Sequence, residues 1–300
     1  MRFYSLKIDN KEFSRLDANN PSAIRITFDL KQYGDTMFPF GLIDIYNVSP
    51  EWFNKLNYLQ GKKIELYASI VEDALTKKQG MSIYQNNLIC FGYIQNLIFN
   101  PNLGTGNKVT FVITSSSEKA DGFLLEIKEG DNIKESMKIA LQNIYSGAII
   151  RTSGLSILAS FNEKLVIKDF SDATKFLKRY DLQVKRTTHG FEISDDDKQV
   201  SSTDIRVLNP QDFLEQPTKI REGVYSMSLN LRGDLKLNSI VKIPQRIFST
   251  LSADTSLNFA QNKTYIQGNF IVIKIWHIGD SRNISPQSWA TNLEVVKYDN

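Results

Sequence analysis

Ile24, Ile26, Phe28 and Leu30 alternate with Arg25, Thr27 and Asp29, and this exchange of apolar and polar residues recurs along the chain. The period belongs to a strand with one face on a core and the other toward water. Ile64, Leu66, Ala68 and Ile70 repeat it against Glu65, Tyr67 and Ser69, and Tyr225, Met227, Leu229 and Leu231 repeat it against Ser226, Ser228 and Asn230. Leu88 to Phe99 and Lys108 to Thr114 flank the turn-rich "NPNLGTGN", which predicts a hairpin. The "GTG" within it is no phosphate loop, because such a loop must open a helix and here a strand follows. Asn269 to Ile278 and Ser288 to Tyr298 predict a closing strand pair around "GDSRNISPQ". A chain built mostly of half-apolar strands must curl or stack its sheets to hide one face of each.

Helical periodicity is confined to short stretches. Ser49, Pro50 and Glu51 suit the start of a helix whose Phe53, Leu56 and Leu59 share a face, and Gly61 supplies its left-handed stop. Farther on, Asp131 is expected to cap a helix striped by Ile133, Met137, Leu141 and Ile144, ended by Gly147. Ser171 is expected to cap another, through Phe176, Leu177 and Tyr180. Each follows a short strand (Leu124 to Ile127 and Leu165 to Lys168), and the second leads into Leu182 to Thr187 and a turn at "THG". The fold class is therefore α+β, mainly β. Residues 1–116 form a first antiparallel β-barrel module with one flanking helix, 117–202 two small α/β units, and 203–300 a second β-barrel module. Gln245 to Gly268 is long for a connection and is expected to be functional or partly strand.

Thirty-six basic against 33 acidic residues leave a formal charge of +3, too little to draw nucleic acid or an anionic membrane by net charge alone. No apolar run has the length to cross a bilayer, and "MRFYSLKIDN" lacks the apolar core of a cleaved signal. The only cysteine, Cys90, lies in an apolar strand, which predicts a buried, reduced thiol in a protein folded in a reducing cytoplasm. Two histidines leave little material for acid–base or transition-metal chemistry. His277, Asp280 and Ser281 in "HIGDS" list the residue types of a triad, but residues so close along a strand end do not converge, and a solvated junction is expected. His189 falls in a hairpin turn. "DDDK" from Asp195 lacks the spaced ligands of a calcium loop, and "RGD" at Arg232 to Asp234 fits a turn. "KRYDLQVKR" interleaves basic and aromatic residues as single-strand nucleic-acid binders do, yet also reads as an amphipathic helix entering a strand. No catalytic, cofactor or metal residue is assigned. In "YGDTMFPFG", Met37, Phe38 and Phe40 crowd a connection that should be wet; they either pack back on the barrel or face another subunit.

Taken in order, these segments resemble the baseplate hub proteins of phage tails, the tail-tube initiators. The resemblance lies in "FPFGLIDIYNVSPEWFNKLNYLQGKKIELYASI" and "LICFGYIQNLIF" for a first tube-type barrel, and in "LEIKEGDNIKESMKIAL" and "FSDATKFLKRYDLQVKRTTHGFEI" for two inserts. For a second barrel it lies in "FLEQPTKIREGVYSMSLNLRGDLKLNSIVKIP" and "FIVIKIWHIGDSRNISPQSWATNLEVV". The resemblance covers nearly the whole chain. It implies a non-enzymatic virion protein, assembled in the host cytoplasm, whose homotrimer makes a pseudo-sixfold ring with two barrels per chain. It implies as partners the tail tube protein, the central spike protein, other baseplate proteins and the tape measure protein, with DNA only passing through the channel. No cofactor is implied. The base of a phage-derived secretion or puncturing device is the structural alternative. A cell-wall hydrolase and a single-stranded nucleic-acid-binding barrel are the alternatives of other classes.

Overall fold

A computed structural model describes residues 2–9, 11–15, 24–33, 40–48, 56–70, 88–101, 107–114, 117–118, 122–146, 148–187, 190–195, 205–251 and 264–298. The chain divides into two compact units, Met1–Thr114 with Ser201–Asn300, and Ser115–Val200.

The first unit opens with β1 (Arg2–Ile8), β2 (Lys11–Arg15), β3 (Ile26–Tyr33), β4 (Phe40–Tyr46), β5 (Lys63–Ile70), β6 (Leu88–Asn100) and β7 (Lys108–Thr114). The alternation of β3 and β5 is realised in burial: Ile26, Phe28, Leu30, Ile64, Leu66 and Ala68 lie inside with Ile43, Ile45, Val109 and Phe111. Of the helix expected from Ser49 to Gly61, the described part is a 3-10 turn, Leu56–Leu59. Gly61 takes the expected left-handed conformation (φ 76°) and donates its N–H to Ile94 O at 2.7 Å. Ser49, Pro50, Glu51 and Phe53 lie outside the described residues.

The second unit contains β8 (Ser117–Glu118), β9 (Phe123–Ile127), α1 (Ile133–Ile144), β10 (Tyr145–Ser146), β11 (Ile149–Thr152), β12 (Glu163–Ile167), α2 (Phe170–Lys178), β13 (Leu182–Thr187) and β14 (Gly190–Asp195). Ile133, Met137, Leu141 and Ile144 are buried as their spacing requires. The caps fall elsewhere than expected. Asn132, not Asp131, caps α1 by accepting from Lys134 N, while Asp131 accepts from Lys128 N at 2.8 Å. Asp169, not Ser171, caps α2 by accepting from Asp172 N at 2.9 Å. In both cases the acceptor must stand before the first helical residue to reach the free N–H groups. Lys134 is buried (side chain 3% exposed); it pairs with Asp195 and donates to Ser153 O at 2.6 Å.

The chain re-enters the first unit through β15 (Ile205–Val207), β16 (Thr218–Arg221), β17 (Val224–Asn230), β18 (Ile240–Leu251), β19 (Thr264–Asp280) and β20 (Trp289–Tyr298). Thus β18 and β19 take up both ends of the Gln245–Gly268 stretch. Pro244 has no N–H for a ladder, and there β18 and β19 slip register between Ile243 and Ile247; Gln267 Nε2 donates to Pro244 O at 2.8 Å across the gap.

The mainly-β, α+β class is as expected, but the unit is not two separate closed barrels. Among the described residues, all its strands join one 13-stranded sheet, ordered β15-β18-β16-β17-β20-β19-β3-β4-β7-β6-β5-β1-β2, with a further β18–β19 pairing. Among the described residues two pairs, Thr218↔Thr250 and Lys219↔Leu251, join β16 to β18 and draw the wall of the second module together there. The first module does not close on itself among the described residues, because its end strand β3 pairs with β19 instead. The reason is the 17-residue length of β19, which holds β20 along one edge and two successive partners along the other. Its residues 264–271 pair with β18, and its residues 274–280 with β3.

Candidate functional site

The place where the two β modules meet is built around that change of partner. A β-bulge between Val272 and Lys274 separates the β18 half of β19 from the β3 half. An extra residue in one strand reverses which face the following side chains take. Before the bulge Phe270 and Val272 are buried; after it, Ile275, His277 and Ser281 are.

Trp289, at the start of β20, is fully buried and belongs to the same apolar cluster as Phe28, Leu30, Ile43 and Leu66 of the first module, together with Leu231. Its ring meets Phe28 edge-on, with centroids 5.2 Å apart, and the Arg2 guanidinium lies 5.5 Å from its centre. Its indole N–H donates to Ser69 O at 3.3 Å. Beside it, β19 needs a residue without a side chain: a Cβ on Gly279 would lie 2.0 Å from the Phe28 ring.

On the opposite face, Asp280 accepts from Arg25 Nη2 at 2.7 Å and Nε at 3.2 Å. Burial disfavours the charged Asp280 carboxylate, but hydrogen bonds from Arg25 and from the Arg282 and Asn283 backbone outweigh it and hold its pKa below the ordinary carboxylate value. Arg2 Nη1 donates to Asp280 O at 2.7 Å and Ser288 Oγ at 3.0 Å, and its other amino group donates to Ser285 O, tying β1 to the β19–β20 loop. Ser281 is paired with Ile26 by both backbone and side chain. Trp276 Nε1 donates to Asp29 Oδ1 at 2.7 Å, and Lys31 Nζ lies 4.7 Å from the Trp276 ring centre.

His277 is 2% exposed, so the wet junction expected for it is wrong; the bulge turns it inward. Its Nδ1 lies 2.9 Å from Thr291 Oγ1, which also accepts from Arg232 N. Burial pushes the imidazole pKa down to about 4, with Asp234 opposing in part. The "HIGDS" residues are thus divided: His277 faces the interior, Asp280 the other face, and the Ser281 hydroxyl accepts from Ile26 N at 3.1 Å. That is a structural arrangement of triad residue types, with no relay between them.

The other singled-out groups are occupied as well. Arg232 donates to Asp234 at 2.6 and 2.9 Å, so the "RGD" charges satisfy each other. Arg179 of "KRYDLQVKR" binds Glu163 through two bonds, at 2.7 and 3.0 Å. Asp195 of "DDDK" is engaged by Lys134; Asp196 and Asp197 lie outside the described residues, as do His189, Met37 and Phe38. Phe40 opens β4, its backbone in register with Lys31. Desolvation raises the Cys90 thiol to about 12, which leaves it protonated and inert. Among the described residues no three His, Cys, Asp or Glu side chains are placed to hold a metal ion, and no helix is long and apolar enough to cross a membrane.

Sequence reasoning missed Trp289, Arg2 and Arg25. Each acts through a partner more than 200 residues away in the chain, and no local pattern marks such a partner.

No protein-family model matches the sequence, and no curated protein matches it. Solved structures do. The 43 kDa tail protein of prophage MuSo2 from Shewanella oneidensis superposes with a TM-score of 0.58 at 8% identity, covering 99% of this chain and 97% of its own. A tail protein of Neisseria meningitidis MC58 gives 0.54 at 9% identity, covering 99% and 97%. A component of the E. coli type VI secretion system, itself similar in structure to the T4 bacteriophage tail proteins gp27 and gp5, gives 0.53 at 9% identity, covering 98% of this chain and 77% of its own. The chain therefore shares the fold of phage tail proteins and of a type VI secretion component.

Proposed function

We propose that this chain is a structural, non-enzymatic baseplate hub protein of a phage tail, acting in the virion. Three copies form a ring in which residues 1–116 and 203–300 are the two ring segments of each chain and residues 117–202 an insert. The ring joins the sixfold tail tube to the threefold central spike and lines the channel through which DNA passes. The observation that carries this reading is the continuous sheet through β19, since one chain then supplies two wall segments already hydrogen-bonded edge to edge. The near-complete coverage of two tail proteins, 99% of this chain against 97% of each, supports it. Free strand edges favour closure by symmetry, because an open edge invites uncontrolled pairing. The partners are the tube protein, the spike protein, neighbouring baseplate proteins and the tape measure protein.

A second reading is the equivalent base of a secretion or puncturing device, favoured by the similarity to the E. coli secretion component. The two share a ring and differ in what is mounted on it. Negative-stain microscopy of the purified chain tests both: threefold rings with a central hole support them, and compact particles without threefold symmetry, with tube and spike proteins added, refute them. Met37, Phe38 and Phe40 are proposed interface residues, so Met37→Ser with Phe38→Ser is expected to reduce ring formation while leaving the unfolding temperature within a few degrees of wild type. A collapse in stability with assembly intact would place them in a core.

A further inference from the structure

We infer that the joint between the two β modules is an acid-sensitive seam, opened when His277 takes up a proton and β3 parts from β19. The inference is independent of the hub reading. His277 stands opposite Leu30 of β3 on one side and Thr291 of β20 on the other, so it lies on the line where the two modules meet. It sits between two apolar clusters, one holding Leu30 and Trp289, the other Ile275 and Leu293.

An imidazolium carries two N–H donors and a charge. One nitrogen is served by Thr291, and the charge would stand on a side chain that is only 2% exposed. From β3, the residues sharing its face are Phe28, Leu30 and Gln32; from β20, Trp289, Thr291 and Leu293; none of these is charged. From the segment after β17 the charged groups are Arg232 and Asp234. That carboxylate is held by Arg232 through two hydrogen bonds, with Arg206 Nε 3.8 Å away, so it is not free to serve the imidazolium. A protonated His277 therefore leaves a buried, poorly compensated cation in the seam, and opening is the relief.

Other ionic contacts at the joint outlast it. Arg25 and the Arg282 and Asn283 backbone hold Asp280 ionised below the ordinary carboxylate range, so its pair with Arg25 persists on acidification.

The sign follows from linkage. A histidine depressed from 6.5 to about 4 in the closed state binds protons more readily in the open one, so opening is favoured as the pH falls from about 6.5 to about 4 and changes no further below that. Each pH unit multiplies the opening constant by about ten, about 300-fold over the interval. The test is amide hydrogen exchange on the full chain at pH 7, 6, 5 and 4, corrected for intrinsic rates. Protection of β3 is expected to fall by about two orders of magnitude or more, with α1 as the internal reference unchanged. His277→Leu, which removes the titrating group and leaves Thr291 bonded to Arg232, is expected to abolish the fall. Equal behaviour of β3 and α1, or an undiminished fall in His277→Leu, overturns the inference. Should that variant not fold, NMR titration of the two imidazoles decides: His277 titrating near the ordinary histidine value overturns it, and titration about 2 units lower, coupled to β3 exchange, supports it.

Discussion

Replacing Trp289 by alanine should cost more than any other single truncation at the joint. The side chain is fully buried, and its removal leaves an indole-sized void among Phe28, Leu30 and their neighbours, where truncation of a large aromatic costs about 3–5 kcal/mol. The edge-on contact with Phe28 at 5.2 Å is worth about 1 kcal/mol beyond area, part of which the truncation value already contains. The cation–π contact from Arg2 at 5.5 Å adds about 0.5 kcal/mol, since Arg2 is partly solvated. The bond to Ser69 O is long at 3.3 Å and contributes at the low end of the hydrogen-bond range, about 0.5 kcal/mol. Roughly 5 kcal/mol is therefore expected, against a typical domain stability of about 5–15 kcal/mol. Trp289→Phe keeps a ring against Phe28 and Arg2 and should lose about 1–2 kcal/mol. The assay is urea unfolding followed by hydrogen exchange of β3 and β19, with α1 as reference. A Trp289→Ala protein within about 1 kcal/mol of wild type would refute the idea that this side chain locks the second module into the first module's core.

Three further outcomes are expected. Lys134→Met removes the buried ammonium that pairs with Asp195, leaving that carboxylate the Leu155 N–H, and should destabilise unit 115–200 by about 3 kcal/mol, while adding Asp195→Asn should recover part of that in a double-mutant cycle. Gly92→Ala would drive a methyl to within 2.3 Å of Thr114 O and should cost about 1–3 kcal/mol by thermal unfolding; a neutral result would mean that β6 and β7 separate easily there. Gly279→Ala meets the Phe28 ring at 2.0 Å and should be rescued in part by Phe28→Leu, whereas additive losses would refute direct contact.

How much of this was legible in the sequence depends on the range of the interaction. Where burial alternates regularly, as in β3 and β5, period two gave both the strand and its inner face. The α1 stripe was equally plain, and its cap was missed by one residue because Asp131 and Asn132 are both capping types and only backbone geometry separates them. The joint was not legible. "FIVIKIWHI" is apolar almost throughout, so periodicity says nothing about its faces, and the bulge after Val272 inverts them midway. That inversion is why His277, beside polar "GDS", is buried. The sharing of β19 between β18 and β3 depends on strands far apart in the chain, with Trp289 and Phe28 separated by most of its length. The same long-range pairing joins the two expected β modules into one continuous sheet.

In the proposed hub, one chain supplies two wall segments and three chains close the ring. Multi-angle light scattering over a range of concentrations, alone and with tube and spike proteins, measures this directly. Three copies of a 34.2 kDa chain give 102.6 kDa, and a plateau at that mass, reached alone or on adding a partner after subtraction of the partner's mass, is the predicted result. A mass that stays at 34.2 kDa at every concentration and with every partner would contradict it.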